Sequence, residues 1–319
     1  MQKKSPVIID LRFDQEQVAN ALKGAFAGRE IINRAHPGSR ARDLAGIDYA
    51  VVWKPGSDLF SRAPDLKVVF SGGAGVDHVL NIPDLPDVPL VRFVDPTLTN
   101  WMSEWVVMQC LLHLRQFRAY ESQNRQRIWR ELVQPRASDM TVGIMGIGVL
   151  GLDAARKLQM LGFNVIGWSR SKKEIEGMET FDAASLDAFL GRTDILVGLL
   201  PHTPETTGIF DAQLFSKLSR KGPFGAPVFI NAGRGASQVE ADIVSALQSG
   251  VLHGASLDVF EKEPLPLESP LWTMDKVFLT PHAAAASDVK ALFVQVEQQI
   301  ERFESGQPLT HVVDRKAGY

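Results

Sequence analysis

Apolar positions along this chain fall into two rhythms. Residues 7–10, 49–53, 66–70 and 89–94 are short, β-branched-rich runs with no polar alternation. Such runs suit strands buried on both faces of a parallel sheet, since a strand with one wet face would alternate. They predict a small α/β unit in the first third of the chain. Four further runs, at 195–200, 228–231, 255–259 and 277–280, are separated by helical patterns. Strands and helices alternating over 141–280 predict a doubly wound parallel sheet.

The helical rhythm is clearest in two places. A helix predicted over 100–123, after proline-rich 82–89 and Asp95-Pro96, carries Trp101, Trp105, Val106, Leu111, Leu112, Leu114 and Phe117. It is apolar on more than one stripe, so it is either deeply buried or shared with another subunit. The last helix, 287–304 before Gly306, is amphipathic and can fold back onto the first unit. Ser237-Gln-Val-Glu240 reads as a capping box opening the helix between the 228–231 and 255–259 strands.

The stretch 141–151, Thr-Val-Gly-Ile-Met-Gly-Ile-Gly-Val-Leu-Gly, joins an apolar run to three spaced glycines. Gly146 permits a sharp turn, Gly148 lets a phosphate approach main-chain N–H groups, and Gly151 lets the next helix, predicted over 149–161, pack close. A pyrophosphate would sit on that helix's positive N-terminus, beside Val149 and Leu150. With a second strand at 164–168, the unit is strand, turn, helix, strand in about 30 residues, which favours dinucleotide binding over an ordinary glycine-rich turn. Ser71-Gly-Gly-Ala-Gly-Val-Asp77 is a second glycine-rich turn at a strand end, where ligands of such sheets bind.

Composition narrows the class. A chain of 319 residues predicts about two domains, and 45% apolar content with a net charge of −3 excludes a strongly basic nucleic-acid surface. No run reaches the about 18 apolar residues of a membrane helix, and the N-terminal apolar run is too short for a signal peptide, so the cytoplasm is the expected location. The one cysteine, Cys110, reads as a small buried hydrophobe. No Cys/His cluster has zinc spacing, and no metal is expected.

Three strand ends deliver candidate chemistry. Arg234 follows 228–231, Asp258 ends 255–259 with Glu263 five residues on, and His282 follows 277–280. Each has a plain alternative: a surface ion pair, a turn cap, a solvated acidic loop or a satisfied edge histidine. Together they meet at the sheet edge where the glycine-rich loop would place a cofactor.

At these residues the chain resembles the D-isomer-specific 2-hydroxyacid dehydrogenases, specifically the bacterial glyoxylate/hydroxypyruvate reductases. The motifs are Gly146-Ile-Gly-Val-Leu-Gly151, Leu200-Pro-His-Thr-Pro-Glu-Thr206, Asn231-Ala-Gly-Arg-Gly235, Leu257-Asp-Val-Phe-Glu-Lys-Glu-Pro-Leu265, Thr280-Pro-His282, Gly73-Ala-Gly-Val-Asp77 and the C-terminal Val313-Asp-Arg-Lys-Ala-Gly-Tyr319. The resemblance implies His282 as acid/base, Glu263 as its paired carboxylate and Arg234 as holder of the substrate carboxylate and carbonyl. It implies Ala74 and Gly75 as main-chain donors to the substrate, and Leu200, Pro201, Thr206, Ala232, Gly233 and Asp258 around the cofactor. Two positions depart from the pattern: Gly233, where alanine or serine is common, and Ala283-Ala284 in place of a frequent glycine-containing pair.

The implied fold is two Rossmann-like doubly wound α/β domains, with an NADP-binding domain (100–284) inserted into a flavodoxin-like substrate domain (1–99 and 285–319) and the site in the cleft between them. The implied reaction is NADPH-dependent reduction of glyoxylate or hydroxypyruvate, in a homodimer, with NAD used more weakly. Ser169, Arg170 and Ser171, followed by Lys172 and Lys173, stand where an NAD-preferring site places an acidic residue, and no acidic residue occurs over 162–173. Trp53 and Trp129 are either core residues or walls that keep the substrate small; in similar reductases an aromatic at the second position crosses the dimer. A bulkier 2-oxo acid, or a nucleotide-sensing scaffold that binds protein partners, would fit the same fold.

Overall fold

The unbroken apolar runs become buried parallel strands in two separate sheets. The computed structural model describes residues 4–39, 41–316 and 318. Residues 1–3, and Ala317 and Tyr319 of the C-terminal motif, lie outside the described residues. The chain divides into two units, Met1–Leu98 with Ser287–Tyr319, and Thr99–Ala286.

In the first unit, β1 (Val7–Leu11), β2 (Ile31–Asn33), β3 (Tyr49–Trp53), β4 (Val68–Ser71) and β5 (Leu90–Val91) pair all-parallel in the order β2-β1-β3-β4-β5. This is the flavodoxin-like order. β2 is too short to announce itself in the sequence. The 89–94 run supplies only two residues to the sheet, because Val91 forms an isolated antiparallel bridge with Val312 and Arg92 N–H donates to the His311 carbonyl (3.1 Å). The final helix, Val289–Glu304, does fold back within this unit: Glu297 accepts from the Phe26 N–H (2.5 Å), and Glu304 pairs with Arg29 (2.6 Å).

The second unit has seven parallel strands: β6 (Thr141–Met145), β7 (Asn164–Trp168), β8 (Glu179–Phe181), β9 (Ile195–Gly198), β10 (Val228–Asn231), β11 (Gly254–Leu257) and β12 (Val277–Leu279). Their order, β12-β11-β10-β9-β6-β7-β8, reverses direction between β6 and β9, which opens a crevice at the carboxyl ends of those two strands.

Two local expectations are corrected. The predicted 100–123 helix is two helices, Pro96–Leu114 and Phe117–Arg125, broken where Gln116 takes the left-handed conformation (φ 53°). The first begins at Pro96 because a first-turn proline loses no hydrogen bond, and Asp95 accepts from Thr97 N–H (3.1 Å) and Leu98 N–H (3.4 Å). Ser237 and Glu240 form no capping box. Ser237 closes a 3₁₀ turn (Gly235–Ser237) with its hydroxyl buried and unbonded, Gln238 is extended, and the helix starts only at Glu240. Glu261 caps instead, accepting from Glu240 N–H (2.7 Å) while Glu240 accepts from Glu261 N–H (2.7 Å).

Behind the sheet, helix Pro96–Leu114 carries a polar chain into the core. His113 Nε2 donates to Ser256 Oγ (2.9 Å), whose hydroxyl donates to Gln109 Oε1 (2.8 Å), and all three residues are buried. Cys110 is buried beside them, and burial pushes its thiol pKa up. Among the described residues, no helix is long and apolar enough to cross a membrane.

Candidate active site

The glycine loop has the local geometry its spacing predicts. Gly146 has φ 107°, and a Cβ there would lie 2.5 Å from the Leu199 carbonyl oxygen, so the turn out of β6 packs on the main chain leaving β9. At Gly151 a Cβ would collide with the Gly146 carbonyl, which brings helix Val149–Met160 against its strand. Gly148 is different. A Cβ there meets nothing within 4 Å, so this glycine keeps clear the open space before the helix N-terminus, and no side chain caps that end. Uncapped N–H groups with open space before them fit a dinucleotide pyrophosphate.

At the end of β7 the basic loop is largely exposed. Lys173 Nζ donates to the Ile147 carbonyl (3.2 Å), tying this loop to the glycine turn. Ser169 Oγ donates to the Ser171 carbonyl (2.8 Å), so that hydroxyl shapes the loop. Arg170 is exposed near Glu205. The Glu205 carboxyl is held below the usual range first by its own backbone amide, then by the Thr203 hydroxyl, and also by the charge of Arg170. Thr206 Oγ1 donates to the Pro201 carbonyl (2.7 Å) and accepts from Thr203 N–H (2.8 Å), so it closes the 201–206 turn. Leu200 is buried, and Ala232 N–H donates to the Gly198 carbonyl (3.2 Å).

Arg234, Glu263 and His282 stand at the carboxyl ends of three adjacent strands. His282 Nδ1 lies 2.9 Å and 3.0 Å from the two Glu263 carboxylate oxygens. The ring is about one-third exposed (35%), so the pair is accessible to a ligand. His282 holds φ 54°, an uncommon conformation for a residue other than glycine, with a strain of about 1–3 kcal/mol.

Asp258 stabilises that turn. Its Oδ1 accepts from the Thr280 hydroxyl (2.6 Å), Ala283 N–H (2.8 Å) and Ala284 N–H (3.0 Å), and its carbonyl accepts from His282 N–H (2.8 Å). The Ala283-Ala284 pair thus contributes its amides, and the small Ala284 side chain is buried in the core. Gly233, the other departure, has a reason too: a Cβ would lie 2.8 Å from the Leu200 carbonyl oxygen. Among the described residues, no three His, Cys, Asp or Glu side chains are grouped to hold a metal ion.

In the first unit, Trp53 lies over the second glycine-rich turn. Its ring is 4.2 Å from the His78 ring, and a Cβ on Gly72 or Gly73 would run into it. Ser71 Oγ, bonded to the Gly73 and Gly75 carbonyls (3.1 Å each), shapes the turn. Among the described residues, no acceptor is found for the Ala74 and Gly75 N–H groups, which are half-exposed main-chain donors. Trp129 is fully exposed, which removes its alternative as a core residue.

The profile of the D-isomer specific 2-hydroxyacid dehydrogenase NAD binding domain matches residues 107–284. Glyoxylate/hydroxypyruvate reductase A of Escherichia fergusonii is 41% identical over 314 residues, 96% of this chain and 97% of that one. The chain belongs to the D-isomer specific 2-hydroxyacid dehydrogenases. Among solved structures, the NADPH-dependent glyoxylate/hydroxypyruvate reductase of Sinorhizobium meliloti, in complex with NADP and sulfate, is 73% identical with a TM-score of 0.97, covering 99% of this chain and 100% of that one. A probable 2-hydroxyacid dehydrogenase of Rhizobium etli, in complex with NADP, HEPES and L(+)-tartaric acid, is 60% identical with a TM-score of 0.95, over 99% and 100% of the two chains.

Sequence reasoning missed several residues that support the site of this dehydrogenase. Trp105 Nε1 donates to Thr280 Oγ1 (3.1 Å), and Thr280 in turn donates to Asp258. Asn231 and Gln238 are fully buried behind Arg234. Asn231 and Thr280 were signalled by lying inside recognised motifs, whereas Gln238 had no sequence signal at all.

Proposed function

We propose that this dehydrogenase reduces small 2-oxo acids, glyoxylate and hydroxypyruvate, to glycolate and D-glycerate with NADPH, and that the Thr99–Ala286 unit binds the cofactor. The His282–Glu263 contact carries the reading, because a 2-oxo acid needs a proton at its carbonyl oxygen as the carbonyl carbon is reduced. When bound, the nicotinamide supplies the hydride to that carbon. With Nδ1 committed to Glu263, the ring presents Nε2 to substrate, and the protonated imidazole gives its Nε2 proton to the carbonyl oxygen.

Arg234 meets the substrate carboxylate with paired, charge-assisted hydrogen bonds and polarises the carbonyl. In the first unit, the half-exposed Ala74 and Gly75 amides are donors suited to a carboxylate, and Trp53 over their turn limits the size of a group bound there. The substrate class is supported by the similarity to the Escherichia and Sinorhizobium glyoxylate/hydroxypyruvate reductases. A panel of 2-oxo acids of increasing size tests the reading: glyoxylate and hydroxypyruvate are expected to give the highest kcat/KM, and faster turnover of branched or aromatic acids would overturn it.

The working enzyme is a homodimer in this proposal. Met108, Phe117, Ile128, Trp129 and Val133 are all exposed, too much apolar surface for one subunit to leave in water. Sedimentation at micromolar concentration is expected to show the dimer, and a lone monomer peak would contradict it.

A further inference from the structure

We infer that Gln238 is a positioning residue that fixes Arg234 relative to His282 through a continuous buried hydrogen-bond chain. The inference rests on the proposed roles of those two residues. A buried primary amide is costly unless its groups are bonded, and a leucine or valine would fill such a slot more cheaply. Gln238 is 2% exposed and its partner Asn231 0% exposed, so water does not serve either amide. Both amides are used, and they join two different loops.

The chain begins on the arginine side. Asn231 Oδ1 accepts from Gly233 N–H (2.9 Å), and its Nδ2 donates to the Arg234 carbonyl (3.3 Å) and to Gln238 Oε1 (2.8 Å). The other end of Gln238 points elsewhere: Nε2 donates to the Val259 carbonyl (3.0 Å). Val259 follows Asp258, whose carboxylate and carbonyl hold the His282 turn. The glutamine amide therefore links the turn that presents the substrate-holding arginine to the chain leaving β11, whose Asp258 holds the turn that presents the acid. The two loops also touch directly, since a Cβ on Gly235 would collide with the Phe260 carbonyl. A loosened loop would shift its neighbour as well.

None of these bonds involves the glycine loop or the basic loop, and the chain reaches the expected cofactor neighbours only through the Gly233 main chain and Asp258, so cofactor affinity is expected to depend on Gln238 far less than the reacting groups do. The expected signature is selective. Misplacing reacting groups by about 1 Å costs about 100-fold in rate, so Gln238→Met should lower kcat/KM for glyoxylate by about 10- to 100-fold, through both a higher KM and a lower kcat. NADPH Kd should stay within about two-fold, because uniform cofactor binding is untouched.

The test compares the unmutated enzyme with Gln238→Met and with Gln238→Asn, whose shorter amide cannot span both partners and which serves if the methionine variant does not fold. Steady-state kinetics, NADPH binding and the imidazole NMR signals of labelled His282 and His113 are read on the same folded protein. The inference predicts the kinetic loss above together with shifted His282 signals and unmoved His113 signals. A folded variant with unchanged kcat and KM, or one whose His282 signals do not move, overturns it, as does a loss confined to NADPH affinity. If the unmutated enzyme itself fails to reduce glyoxylate, the proposed substrate falls, and the His282 signals alone still decide whether Gln238 positions that ring.

Discussion

His282→Ala is expected to lower kcat for glyoxylate reduction by about 10² to 10⁴, the range over which a positioned general acid acts, while NADPH Kd stays nearly unchanged. The structure gives the reason for both halves. The ring is fixed by Glu263 at 2.9 Å and by a left-handed backbone turn stabilised through Asp258, so the proton is presented in one place. It makes no contact with the glycine loop, so the cofactor loses nothing in the variant. Glu263→Gln separates the two partners: it keeps a side chain of the same shape at Nδ1 but removes the carboxylate, so kcat should fall while NADPH Kd stays nearly unchanged. Loss of NADPH affinity in His282→Ala, or an unchanged kcat in Glu263→Gln, would show that the pair does something else.

The second large effect is on acid stability, and it comes from a buried histidine behind the sheet rather than from the reacting groups. Burial pushes the His113 pKa down from 6.5 to about 3, helped by the nearby charges of His253 and Arg118. The folded state therefore refuses a proton that the unfolded chain accepts below its ordinary pKa. Between about 3 and 6.5 the unfolded state binds more protons, so stability falls as the pH drops through that window. One pKa unit is about 1.4 kcal/mol, so acidifying from pH 6.5 to 5 should remove about 2 kcal/mol through this residue alone. His113→Gln keeps a donor for Ser256 without a titrating ring. Denaturant unfolding at the two pH values should show a smaller acid loss in the variant than in the parent; equal losses would mean that the buried ring is not the cause.

How much of this was legible in the sequence depends on the range of the interaction. Strands such as β3 and β10 were read with their correct bounds, because a strand buried on both faces needs unbroken apolar residues whatever surrounds it. The strands β2 and β8, three residues each, were invisible, since their pairing is decided by neighbours distant in sequence. The break at Gln116 was missed for a related reason: nothing local forbids helix there, and the turn is set by where Phe117–Arg125 packs, with Arg118 donating to the Val277 carbonyl (2.6 Å).

Site residues divide in the same way. Arg234, Glu263 and His282 were visible because motif and strand-end position coincide. Asp258 was read as a cofactor neighbour, and the structure shows its carboxylate serving the backbone of the His282 turn, a use that depends on β11 and β12 being adjacent. The Ser237–Glu240 box failed because one 3₁₀ turn displaced the helix start. His113 carried no sequence signal, because only the fold buries it.

The most direct test of the whole account is the ratio of kcat/KM with NADPH to that with NADH, measured with hydroxypyruvate as acceptor on the unmutated enzyme and on Arg170→Ala. Arg170 is exposed at the end of β7, in a loop anchored to the glycine turn by Lys173, and this strand end is where a doubly wound sheet is expected to meet the adenine ribose of a dinucleotide. A single charge contact with a 2′-phosphate in such a half-exposed place corresponds to a preference of about 30-fold or more. The account predicts D-glycerate as product, at least that preference for NADPH in the unmutated enzyme, and its loss in Arg170→Ala with NADH efficiency little changed. Equal efficiency with the two cofactors, or no hydroxypyruvate reduction with either, would contradict it.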